Sequence, residues 1–367
     1  MDKILILTCS TGEGHNSAAR AVETALKNRG AECLIRDPVS FQSQRMTRLV
    51  SNLYNGTIRR TPRLFGAVYK LGDLYSSSKL PSPIYWANSK YAKNLKEYIL
   101  ENGFTAVVCT HLYGMEAMTA IRKDPEFTVP CYGVLTDYVT IPFLHDIHLT
   151  RLFVPMEEIK NQLVEQGLQP DQVVVSGIPV NASFTCHPSK REARELLHLP
   201  QDKNIYLLML GGVGADSMEK LCSRILSTME QQDMLIVFTG RNQPLRERLQ
   251  EKYGDAVTAL GFTDQVSLYL AAGDVLLSKP GGLSSTEAAV ANIPLVHIRG
   301  IPGCETYNAR YFEENGMACH AGNDEQAADF ARTLAHDRKA AEKMCLMQRT
   351  HVNANAARQI AEEVMGA

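Results

Sequence analysis

The chain has 367 residues, of which 45% are hydrophobic and 21% charged, and a formal charge of −2. That length holds two domains of ordinary size, and that balance is normal for a soluble globular protein. Nine cysteines without a C-x-x-C spacing argue against a zinc site and for a reducing compartment. No apolar run reaches about 18 residues, so no membrane-spanning helix is expected. The first apolar strand begins at Ile4, so no signal peptide is expected either.

Ile4 to Thr8 reads as a buried strand, Cys9 to His15 as a glycine loop, and Asn16 to Asn28 as an alanine-rich helix that Gly30 ends. Ala31 to Arg36 reads as the second strand. This is a Rossmann-like opening, but the loop is not G-x-G-x-x-G. Asp37 only approximates the acidic residue that a dinucleotide site requires, so dinucleotide binding stays an alternative. His15 sits at a helix N-terminus, where the dipole disfavours imidazolium. A neutral imidazole there can take a proton at pH 7, or simply cap the helix.

Ser40 to Asn102 has a helical pattern and carries the chain's charge asymmetry. Between Phe41 and Tyr98 stand ten basic residues, Arg59, Arg60 and Arg63 among them, against two acidic ones. Aromatics, including Trp86, are interleaved with them. Such a segment can lie on an anionic membrane surface or form a solvated helical face. No RNP-like strand is present, and no nucleic-acid partner is expected.

Ala106 to Thr110 and Cys131 to Thr136 read as strands. His111 lies in the loop after the first, and Asp137 follows the second, where a carboxylate can orient a base or cap a turn. Ile141-Pro142-Phe143 reads as a loop. Arg151 to Pro155 and Val173 to Ser176 are further strands with a helix, Met156 to Gly167, between them. Asn181 to Pro188 reads as a hinge.

The strand–helix alternation then restarts. Ile205 to Leu210 leads into Gly211-Gly212-Val213-Gly214 and a helix from Met218 to Gln231, a second glycine loop between strand and helix. Met234 to Thr239 ends in Gly240-Arg241-Asn242, a candidate phosphate or base loop. Phe262 and Thr263 follow Leu260-Gly261, and a single Phe there reads most simply as a core aromatic. Asp274 to Leu277 is an apolar strand followed by the turn Lys279-Pro280-Gly281-Gly282. Ser284, Ser285 and Thr286 offer caps for the helix through Ala291. A capped helix after a glycine turn presents N–H groups and a positive dipole end to an anion. Ile293 to Val296 is another strand, Pro302-Gly303 a loop, and the chain reads as helical from there to its end.

The blocks K-P-G-G, T-E-A and P-G-x-E-x-x-N, running from Lys279 to Asn308, resemble the donor half of GT-B glycosyltransferases. The resemblance is to the monogalactosyldiacylglycerol synthases and processive diacylglycerol β-glucosyltransferases. The N-acetylglucosaminyltransferase that forms lipid II is a more distant relative. Gly12-Glu13-Gly14-His15, Thr136-Asp137-Tyr138 and Gly177-Ile178-Pro179-Val180 match the family's earlier blocks in order. The resemblance implies His15 as general base, with Gly14 beside it and Asp137 supporting. It implies a lipid-contacting insert at about 41–98, and it places Phe143 and Leu144 where plant members carry a lipid-contacting Trp. Donor contacts fall to Gly211, Gly212, Gly214, Arg241, Phe262, Thr263, Gly281, Gly282, Ser284 and Ser285. Glu287 falls on the ribose hydroxyls, and Glu305 and Asn308 on the sugar and diphosphate. Cys304 stands where the family has Gln, and Asn292 where it has Gly. No D-x-D occurs, so neither a metal nor a cofactor is expected beyond the UDP-sugar itself.

The expected fold is α/β, two Rossmann-like domains facing a central cleft. Their spans are 1–180 and 181–350, and a last helix, 351–367, crosses back to the first. The expected function is inverting transfer of a hexose from a UDP-sugar to diacylglycerol or a glycosyl-diacylglycerol by a cytoplasmic protein peripheral on the cell membrane. N-acetylglucosaminyl transfer to a polyprenyl-linked acceptor, UDP-sugar epimerisation and non-catalytic UDP-sugar sensing are the alternatives.

Overall fold

A computed structural model of the chain describes residues 1–9, 13–41, 91–141, 144–211 and 215–366. The chain divides into two compact units. One comprises Met1–Asn181, Pro302–Cys304 and Ala354–Ala367, the other Ala182–Ile301 and Glu305–Asn353.

The first unit is a six-stranded sheet with every neighbour parallel, in the order β2-β1-β3-β4-β5-β6. Its strands are β1 (Lys3–Leu7), β2 (Glu32–Arg36), β3 (Ala106–Cys109), β4 (Cys131–Val134), β5 (Arg151–Val154) and β6 (Val173–Val175). Parallel strands are covered on both faces, which is why they are apolar without alternation. Alternate residues nevertheless feed two separate cores. Leu5, Leu7, Val107 and Cys109 pack on one face with Met115 and Met118 of α3 (Leu112–Ile121) and with Leu95 and Ile99 of α2 (Ala92–Glu101). Ile159 and Leu163 of α4 (Glu157–Glu165) join them. Ile4, Ile6, Ala106 and Val108 pack on the other face with Ala19, Val22 and Leu26 of α1 (Glu13–Lys27).

The second unit repeats the plan in the order β12-β11-β10-β7-β8-β9, again all parallel. In chain order it runs α5 (Lys190–Leu196), β7 (Asn204–Met209), α6 (Ala215–Leu226), β8 (Asp233–Gly240), α7 (Gln243–Tyr253), β9 (Val257–Gly261) and α8 (Val266–Ala272). Next come β10 (Val275–Ser278), α9 (Gly282–Val290), β11 (Leu295–His297), α10 (Cys304–Glu314) and β12 (Cys319–His320). The helices α11 (Asp324–His336) and α12 (Arg338–His351) complete it. The expectation of unbroken helix after Pro302 is corrected by β12, a two-residue strand recruited by the exposed edge of β11.

The last helix, α13 (Ala356–Val364), belongs with the first unit. Ile360, Ala361 and Val364 are buried in the same core as Val22 and Leu26. Arg29 pairs with Glu362 at 3.5 Å, Arg151 pairs with Glu363, and Gln359 Nε2 donates to the Val175 carbonyl at 3.2 Å.

Candidate functional site

In each sheet the chain reverses its direction of growth once, between β1 and β3 in the first and between β7 and β10 in the second. Loops leaving the carboxyl ends of strands part at such a switch point, where open α/β sheets bind ligands. In the first unit that point gathers the end of β1, the start of α1 and residues Thr110 and His111 after β3. His15 lies half-buried in the first turn of α1. Its Nδ1 is 3.0 Å from the Thr110 carbonyl oxygen and 3.0 Å from the Thr136 hydroxyl oxygen. A carbonyl only accepts, so Nδ1 carries the proton and Nε2 keeps its lone pair. The Thr110 hydroxyl donates to the His15 carbonyl at 3.1 Å, so the residue is gripped at both ends. Burial lowers the His15 pKa from its ordinary 6.5, against the raising effect of the Thr110 carbonyl, and the ring is neutral at pH 7. His111 packs edge-on against it, ring centroids 4.7 Å apart, and caps α3 by accepting from the Tyr113 N–H at 3.2 Å. Burial, and then the proximity of His15, keep His111 neutral too.

In the second unit the switch point gathers Gly211 after β7 and the turn Lys279-Pro280-Gly281 after β10. Gly211 has φ +69°, a left-handed conformation that glycine adopts without strain. The cap of α9 is Gly281, with no side-chain hydrogen bond. A glycine cap has no side chain with which to satisfy the first-turn N–H groups, the arrangement that helix N-termini use to receive anions. This corrects the expected serine and threonine caps. Ser284 lies inside the first turn and donates back to the Gly281 carbonyl at 3.3 Å. Thr286 donates to the Gly282 carbonyl at 2.6 Å. Ser285 is wholly buried, its hydroxyl 2.8 Å from Nε2 of His297, an imidazole whose pKa falls to about 3 through burial and then through His320. The Ser285 side chain thus serves the core.

Glu305 and Asn308, on α10, close the same turn from the far side. The Glu305 carboxylate accepts from the Ile301 N–H at 2.5 Å, and the buried Asn308 amide donates to the Pro280 carbonyl at 3.0 Å. A Cβ on Gly300 would stand 2.7 Å from Glu305 Oε2 and 2.9 Å from Pro280 Cγ, so only glycine permits this approach. Lys279 is partly buried beside Glu305. Desolvation lowers its pKa and the Glu305 charge opposes that. After β8 and β9, Arg241 places its guanidinium 5.1 Å from the centre of the Phe262 ring.

Residues 15–180 match the family model of monogalactosyldiacylglycerol synthase, and residues 186–346 match that of glycosyl transferases group 1. A processive diacylglycerol β-glucosyltransferase of Bacillus pumilus is 27% identical over 350 residues, covering 93% of this chain and 89% of that one. One from Bacillus mycoides is 27% identical over 91% of this chain and 85% of its own. Among solved structures, MurG of Acinetobacter baumannii aligns over 100% of both chains with a TM-score of 0.63 and 17% identity. The spinosyn rhamnosyltransferase SpnG aligns over 99% of this chain and 100% of its own, with a TM-score of 0.62 and 13% identity. The last two are likenesses of fold. The chain is a GT-B glycosyltransferase.

In this glycosyltransferase Gly14 and His15 come together with Thr110, Thr136 and His111. Asp137 is partly buried directly after Thr136. Neither threonine's part was legible, because it depends on β1, β3 and β4 being neighbours. Gly211, Gly281, Gly282, Ser284, Glu287, Glu305 and Asn308 lie around the switch point of the second sheet, and Arg241 and Phe262 at the ends of β8 and β9. Phe262 is 70% exposed, which corrects its reading as a core aromatic, and the Thr263 hydroxyl accepts from the Gln265 N–H at 3.1 Å. Gly212, Gly214, Phe143, Arg59, Arg60, Arg63 and Trp86 lie outside the described residues, as does most of the basic 41–98 insert. Among the described residues no helix is long and apolar enough to cross a membrane.

Proposed function

We propose that this glycosyltransferase moves a hexose, glucose or galactose, from a UDP-sugar to a hydroxyl of diacylglycerol or of a glycosyl-diacylglycerol, with inversion at the anomeric carbon. The observation that carries the reading is the neutral His15, tethered through Nδ1–H so that Nε2 is left as a base. In the proposed step Nε2 takes the proton of the acceptor hydroxyl as its oxygen bonds to the anomeric carbon. The bond from that carbon to the UDP oxygen breaks, and the diphosphate leaves with the electron pair.

On the donor side, the uncapped N-terminus of α9 and Lys279 would carry the diphosphate charge, needing no metal. Glu287 would hold the ribose hydroxyls, Glu305 and Asn308 the sugar and diphosphate, and Phe262 with Thr263 the uracil. Relatives named as diacylglycerol glucosyltransferases over nine-tenths of the chain support the lipid acceptor. The basic, aromatic insert supports approach to an anionic membrane surface, with Arg59, Arg60, Arg63, Trp86 and Phe143 in contact.

The test is UDP release by the purified chain offered UDP-glucose, UDP-galactose or UDP-N-acetylglucosamine. Each donor is given with and without diacylglycerol in anionic vesicles. Release is expected with one hexose donor, only with the lipid, and roughly 10²- to 10⁴-fold slower in His15→Ala. Because burial depresses the His15 pKa, its base form persists as pH falls through 6.5, and the acid limb of kcat is expected below that value. No lipid-dependent release with any donor would sink the reading.

A further inference from the structure

The two histidines at the first switch point are locked in opposite tautomers. His111 accepts a backbone N–H at Nδ1, so its proton sits on Nε2. His15 faces a carbonyl with Nδ1, so its proton sits there. That one N–H is shared by two acceptors from different strand ends, the Thr110 carbonyl after β3 and the Thr136 hydroxyl after β4, each 3.0 Å away. An imidazole held by a single acceptor still rocks about that bond, whereas two acceptors on adjacent strands fix the direction in which Nε2 points. The carbonyl of Thr110 is itself tied to the turn carrying His15, because the Thr110 hydroxyl donates to the His15 carbonyl. His111 closes the side of the ring as a neutral neighbour and brings no charge.

We propose that Thr136 is a positioning residue for glycosyl transfer. Its hydroxyl oxygen shares the Nδ1 proton of His15 with the Thr110 carbonyl and so aims Nε2 at the acceptor hydroxyl. This rests on His15 being the general base. Both acceptors are uncharged, which suits a base that must give its proton up again at pH 7. A carboxylate in the same place would hold the imidazolium more firmly.

The test combines kinetics with a readout independent of turnover. Thr136→Val keeps the shape of the side chain and removes the oxygen, and Thr136→Ser keeps the oxygen and removes the methyl. With diacylglycerol vesicles and whichever of UDP-glucose or UDP-galactose supports UDP release, kcat is expected to fall about fivefold to tenfold in Thr136→Val. That is the scale of one lost hydrogen bond. The donor KM is expected to stay unchanged, and Thr136→Ser to restore kcat to within about twofold. An unchanged kcat in Thr136→Val, or a serine variant as slow as the valine one, would overturn the proposal.

Nitrogen chemical shifts of the histidine-labelled full chain read the tautomer directly. His15 is expected with a protonated Nδ1 and a bare Nε2, and with a growing share of the other tautomer in Thr136→Val. A protonated Nε2 in the unaltered chain overturns the assignment whatever the activity. An active His15→Ala would instead overturn the base reading alone, with the shifts still reporting on Thr136.

Discussion

Phe262 leaves 70% of its surface to solvent and lies against the Arg241 guanidinium. An aromatic that contributes so little to the core is available for a planar ligand, and a base stacked on such a ring gains about 1–3 kcal/mol. Phe262→Ala is therefore expected to raise the donor KM roughly tenfold while leaving the melting temperature unchanged. A fall in melting temperature without a change in KM would return Phe262 to a structural part. The sequence distinguished this residue poorly, since one Phe after a strand is most often buried. It spoke more clearly at His15, where a glycine loop leading into a helix is enough to place the imidazole at a strand's carboxyl end. Ser285 shows the opposite case. A serine in a helix start reads as a cap, and only the position of β11 beside β10 reveals that its hydroxyl is held by a buried His297.

Local chemistry decides how the elements join. Asp274, at the entrance to β10, accepts from buried Arg194 of α5 at 2.6 Å, from Lys190 at 2.9 Å and from the Ile205 N–H of β7 at 2.6 Å. Arg194 is 5% exposed and also donates to the carbonyls of Ala272, Gln201 and Lys203. Removing the carboxylate leaves a buried guanidinium without its counter-charge. Asp274→Ala is expected to cost about 3 kcal/mol, the low end for a broken buried pair because the three carbonyls remain. A urea midpoint equal to that of the unaltered chain would refute this. Strands and helices were legible from apolar runs, with ends off by a residue or more: the helix expected over 218–231 is α6 at Ala215–Leu226. The two-residue β12 was invisible because its neighbour, not its own sequence, makes it a strand. The start of α9 was misplaced because Gly281 can precede a helix without any capping side chain.

Across the whole molecule, two sheets of the same parallel plan each put their candidate site residues at their own switch point. The first unit is completed by α13, whose Ile360, Ala361 and Val364 fill its core. Truncation after Asn353 removes these groups, worth about 4 kcal/mol of apolar burial. The first unit's melting transition is expected to fall by on the order of 10 °C. A calorimetric trace with that transition unmoved would show α13 to be dispensable.

The second unit is, in chain terms, a long detour taken before the first is finished. A ribosome making this protein releases β1 to β6 early, yet α13, which shares one face of their sheet with α1, is synthesised only after everything from Ala182 to Asn353. At ordinary rates of about 5–20 residues per second that interval is on the order of ten to thirty seconds. Throughout it the surface awaiting Ile360 and Val364 stays wet, and the first unit must wait for α13 to become fully native.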